Sequence, residues 1–129
     1  MRIYGIIAGL ALAGCVAEPE ISGQQSFADN CAACHGDGGM GDGVAAPALS
    51  VAPPDLTGLS ARNGGVFPRD YVMSTIDGYA RGSHFAPDMP AFGEGDLGDV
   101  VIVENEDGTG TPIPLELIAL ADYLETIQR

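Results

Sequence analysis

Cys31-Ala32-Ala33-Cys34-His35 limits the possible folds more than any other stretch of this 129-residue chain. Two thiols separated by two residues share one side of a helical turn, and the imidazole follows directly. That spacing suits a flat ligand with two attachment points and a metal at its centre. The thiols match the separation of the two vinyl groups of a haem, and the next residue then lies beneath the iron as an axial ligand. Other uses of the spacing fit less well. A redox dithiol belongs in a strand–helix unit, and none surrounds these residues. Structural zinc needs four ligands, and the spare donors of the right kind are His84 and Cys15. A disulfide across two residues would be strained and would leave His35 unexplained. A core built from so short a chain is marginal unaided, and a large apolar cofactor at its centre would strengthen it.

The remaining cysteine has its own context. Arg2 and the apolar run at 3–13 read as an export signal, too short to span a bilayer as a mature helix. The run ends in Leu12-Ala13-Gly14-Cys15, which resembles a bacterial lipoprotein signal whose cysteine becomes the lipidated first residue. The expected division is therefore a signal over 1–14, a tether over 15–22 containing Pro19, and one domain over 23–129. Loss of the signal removes Arg2 and no acid, so the formal charge of −13 becomes −14. With 18 Asp and Glu, 5 Arg and no lysine, the surface repels phosphate backbones and excludes nucleic acid as a partner. A protein partner must be basic, or must meet an apolar patch.

The rest of the chain reads as short helices and loops. Gly23 and Phe27 lie eight and four residues before Cys31, so they share its face on a helix expected over 23–34. Leu117, Leu120, Ala121, Leu124 and Ile127 form an apolar stripe on a last helix, with Pro114 in its first turn. A further short helix is expected over 68–76, with Gly78 beyond its end, and a helical turn over 55–59. A glycine-rich loop at 36–43 leads to Ala45-Ala46-Pro47-Ala48-Leu49. Its acids, Asp37 and Asp42, lack the twelve-residue pattern of a calcium loop. Asp88-Met89-Pro90-Ala91-Phe92 forms a loop ahead of the last helix.

From Gly23 onward these motifs, in this order, resemble a small monohaem cytochrome c. The resemblance implies a mostly α fold of four to five short helices around one covalently bound haem c with its iron. It implies that Leu120 and Tyr123 meet Gly23 and Phe27. It implies that the Pro47 carbonyl accepts the second N–H of His35, that Leu49 touches the haem, and that Met89 is the sixth iron ligand opposite His35. Met40 and Met73 are the other methionines of the mature chain; Met73 falls inside a helix and reads as core. The implied function is single-electron transfer without catalysis, exchanged with redox partner proteins. With the lipid anchor on Cys15, it takes place on the exported, periplasm-facing side at a membrane surface. His84 could take the place of Met89 as sixth ligand and would give a lower potential; the alternative function is a gas sensor or peroxide-reactive protein whose sixth ligand is labile.

One region departs from the simplest members of that family. The β-branched run at 100–103, the turn residues Asp107-Gly108 and the segment 111–114 predict a hairpin inserted within 99–114. Its acidic tip is a candidate docking element.

Overall fold

The computed structural model describes residues 21–79, 87–105 and 107–129. The expected signal, Cys15 and His84 lie outside the described residues. Helix α1 (Gly23–Asn30) starts where the Ser22 hydroxyl accepts the Gln25 N–H at 3.3 Å, a side-chain cap that satisfies one free donor of the first turn. The helix expected over 23–34 is interrupted at Cys31, whose φ of −119° opens the backbone, and it resumes as α2 (Ala32–His35). The hydrogen bonding continues across the break: Cys31 N–H bonds to Phe27 at 2.9 Å, and His35 N–H to Cys31 at 2.9 Å. A 3-10 turn over Ala46–Ala48 and another over Leu56–Gly58 lead to α3 (Leu59–Arg62). Helix α4 (Arg69–Asp77) begins just after Pro68 and ends at a left-handed Gly78. A third 3-10 turn, Phe92–Glu94, precedes the hairpin, and α5 (Leu115–Thr126) follows it.

The core lies where α1 and α4 meet α5. Phe27 of α1, Val72, Met73 and Ile76 of α4, and Leu117, Leu120, Ala121 and Leu124 of α5 are buried together. Their spacing of three and four residues gives each helix one apolar side. Gly23 lets α1 and α5 approach closely, because a β-carbon there would lie 1.8 Å from the Ala119 carbonyl oxygen. The Phe27 and Tyr123 rings meet at 5.3 Å in a tilted arrangement. Met73 is core, as its helical position implied. On the surface side Arg69 of α4 pairs with Asp122 at 2.6 Å and Glu125 at 2.7 Å on α5. Past α5, Gln128 donates to the carbonyls of Leu56 at 2.9 Å and Leu124 at 2.7 Å, and accepts from Ser60 N–H at 2.9 Å. One side chain thus ties the segment around 56–60 to the end of α5.

The inserted hairpin has strands β1 (Val100–Glu104) and β2 (Gly110–Pro114), antiparallel with Ile102 opposite Pro112. Asn105 N–H bonds to Thr109 at 2.8 Å and Leu115 N–H to Asp99 at 2.8 Å. Bonded pairs alternate with non-bonded ones, so Pro112 and Pro114 occupy positions whose missing N–H would have pointed outward. Pro114 is therefore the extended end of β2, and α5 starts one residue later than the sequence implied. Ile113 packs on the core, whereas Val100 and Ile102 face solvent. The architecture is the mostly α arrangement expected, with five α-helical segments among the described residues. None of those helices is long and apolar enough to cross a membrane.

Candidate functional site

Cys31 stands at the junction of α1 and α2, and the turn from Cys31 to His35 is closed by the Cys34 N–H at 3.1 Å and the His35 N–H at 2.9 Å, both on the Cys31 carbonyl. This single turn carries two free, half-buried thiols and one buried imidazole. Burial raises the Cys31 thiol to a pKa of about 11, helped by Cys34 and by the Glu116 carboxylate at the start of α5. At neutral pH Cys31 is thus a thiol, the opposite of the depressed pKa that marks a thiolate redox centre. Burial also lowers the pKa of His35, and the Pro54 backbone opposes this more weakly. The ring is therefore neutral at physiological pH, the form with a lone pair to give a metal. Its Nδ1 is buried and makes no hydrogen bond. Buried polar atoms are nearly always partnered, so an orphan here points to a ligand that completes the site.

The backbone group that faces His35 is that of Pro54, and Pro47 lies in a separate turn. The path of the chain explains the difference. After His35 the glycine-rich loop folds back along α2, with Gly43 N–H on Cys34 at 3.1 Å and Ala45 N–H on Ala33 at 2.8 Å. This carries Pro47 beyond the start of α2, where it is exposed in a 3-10 turn. The chain then returns, and Leu56 N–H bonds to Gly39 at 2.7 Å. At Gly41, whose φ is +81°, a β-carbon would lie 2.3 Å from the Pro53 carbonyl oxygen, so the segment 53–56 lies directly on the loop that follows His35. The run Pro53-Pro54-Asp55 was a usable signal for that second turn, since Asp55 caps it by accepting Thr57 N–H at 2.8 Å and its hydroxyl at 2.6 Å.

Leu49 is half-buried and is not among the residues packed on the protein core. Met89 is also half-buried and does pack against the core, as does Phe92. Met40 is exposed. A groove lined by Asn30, Phe92, Asp96, Leu97, Glu116 and Leu120 opens beside the residue that precedes Cys31, its walls part apolar and part polar. Among the described residues no three His, Cys, Asp or Glu side chains gather in a way that could hold a bare metal ion. The donors fit a prosthetic group better: two free thiols and a neutral, buried imidazole on one turn.

A family model described as cytochrome c matches residues 21–112. The chain belongs to the cytochrome c family. Its cofactor is accordingly a covalently attached haem c with iron, and its general role is that of a haem-based electron carrier that exchanges electrons with redox partner proteins. No curated protein and no solved structure matches this cytochrome. Two features of its site had no counterpart in the sequence reading: the approach of Glu116 to Cys31, and a hydrogen bond from Ser50 to Asp88. Both join residues far apart in the chain.

Proposed function

We propose that this cytochrome is a monohaem, His/Met-ligated single-electron carrier working at a membrane surface on the exported side. Cys31 and Cys34 hold the haem by thioether bonds, and His35 and Met89 fill the two axial positions. The observation that carries the reading is the turn itself, where a buried imidazole with an unpartnered Nδ1 follows two free thiols. The bound haem supplies a ferric/ferrous couple that takes or gives one electron at a time. His35 stays neutral because it is buried, and so keeps its lone pair available. Met89 contributes a soft thioether, which favours the ferrous state and raises the potential. Pro90 restricts Met89 to extended backbone and fixes the direction from which the sulfur approaches. Leu49 and Phe92 supply apolar surface that excludes water, which also disfavours the extra positive charge of the ferric state. The acidic surface acts the other way, weakened by salt at a distance. Cys15 carries the lipid, and two or more acyl chains make the anchoring stable.

The test is the absorption spectrum of oxidised and reduced protein, wild type against Met89→Ala. The expected wild type is low-spin with a methionine–ferric charge-transfer band, which the variant loses. A high-spin wild type that binds CO when reduced removes Met89 as ligand and favours the sensor or peroxide reading. Cys15→Ser is expected to move the protein from the membrane fraction to the soluble one.

A further inference from the structure

Asp88 Oδ2 accepts the Ser50 backbone N–H at 2.9 Å and also the Ser50 hydroxyl. Among the described residues, the other exposed aspartates that bond to backbone N–H groups do so locally: Asp55 to Thr57, Asp96 to Gly98 and Asp107 to Thr109, each two residues on. Those are turn-stabilising contacts within one loop. Asp88 instead reaches a residue 38 positions away. Ser50 directly follows Leu49, and Asp88 directly precedes Met89. The bond therefore joins two separate loops at the residues next to both side chains proposed to meet the haem.

The other end of the Met89 segment is also held. Its 3-10 turn, Phe92–Glu94, sits on the C-terminal end of α4, where a β-carbon on Gly93 would lie 2.2 Å from Asp77 Oδ1 and 2.6 Å from the Asp77 carbonyl oxygen. Between Asp88 and Gly93 run only Met89, Pro90, Ala91 and Phe92. Four residues fixed at both ends form a short strap with little freedom to swing outward, and Pro90 removes more of that freedom.

We infer that the Ser50–Asp88 clasp is a positioning device that holds the Met89 strap closed, so that the thioether resists replacement by outside ligands. The inference rests on the ligation proposed above. An external ligand can reach the iron only after the methionine sulfur has left, and the sulfur can move away only as far as the strap lets it. Breaking the clasp removes one of the ties on that end of the strap. It leaves Met89, Pro90 and the α1–α5 core untouched.

The experiment measures the rate at which cyanide binds the oxidised holoprotein. Asp88→Ala removes both bonds and is expected to speed binding about tenfold, the effect of losing a hydrogen bond to a charged group. Ser50→Ala keeps the N–H bond and is expected to lie between Asp88→Ala and wild type. Asp88→Asn keeps an acceptor oxygen but loses the charge, and is expected to lie between wild type and Asp88→Ala. In a Met89→Ala background, where the sulfur is already gone, Asp88→Ala is expected to change nothing, an outcome that a general loosening of the fold would not produce. Equal cyanide rates in wild type, Asp88→Ala and Ser50→Ala, all with an intact methionine–ferric band, overturn the clasp and leave the ligation standing. A wild type that lacks the band overturns both.

Discussion

Gly23 illustrates how one atom controls this fold. A methyl group there would sit 1.8 Å from the Ala119 carbonyl oxygen and 3.0 Å from the Tyr123 β-carbon. The nearer obstacle is helix backbone, which cannot rotate aside as a side chain can. Gly23→Ala must push α1 from α5 and part the Phe27 and Tyr123 rings. The expected cost is about 3 kcal/mol, the upper end of overpacking, read as a lower urea midpoint at unchanged slope. A gentler test is Asp55. Its pKa is lowered chiefly by the Thr57 hydroxyl and then by the Thr57 N–H. A depressed folded pKa means that the group stabilises the fold above its unfolded value and ceases to do so as pH falls through the folded one. Asp55→Asn is therefore expected to flatten the acid limb of stability below about pH 4, in thermal melts recorded from about pH 3 to 6.

The inserted hairpin shows what an element adds to its residues. Its existence was legible from a β-branched run ahead of Asp107-Gly108, and Asp107 does organise the tip, accepting Thr109 N–H at 2.9 Å and its hydroxyl at 2.6 Å. Its register, which follows from the pairing, makes the two edges unlike. On β2 the outward positions include Pro112 and Pro114, so that edge offers few donors, while the outer edge of β1 keeps its N–H groups. Ile102 sits opposite Pro112, in a pair without mutual hydrogen bonds, and Val103 opposite Thr111, in a bonded one. Ile102→Pro is expected to leave the hairpin intact, whereas Val103→Pro breaks its ladder, distinguishable by hydrogen-exchange protection of the Asn105 and Ile113 amides. The interrupted first helix belongs at this scale too. Its helical hydrogen bonds continue through Cys31, so nothing in the local pattern announced the opened backbone that separates α1 from α2.

The whole molecule is governed by charge and by the closure of its loops. The chain carries a formal charge of −13 around its haem. Electron exchange with a small cationic reagent is expected to slow as salt is added, and exchange with an anionic one to quicken, because screening weakens attraction and repulsion alike. Stopped-flow rates at several ionic strengths check both signs, and equal slopes would mean that the haem edge lies in a locally neutral patch.

How much could be read beforehand depended on distance along the chain. The Cys31–His35 turn, the stripe on α5, the core role of Met73 and the hairpin are local patterns, and periodicity or spacing reports them because a helix or strand repeats its geometry every few residues. What surrounds a buried imidazole is another matter. The path of the loop after His35, not its composition, brings Pro54 to the ring. In the same way packing alone brought Glu116 to Cys31 and Ser50 to Asp88. These contacts join segments tens of residues apart, and which segments meet is decided by how the loops close over the core.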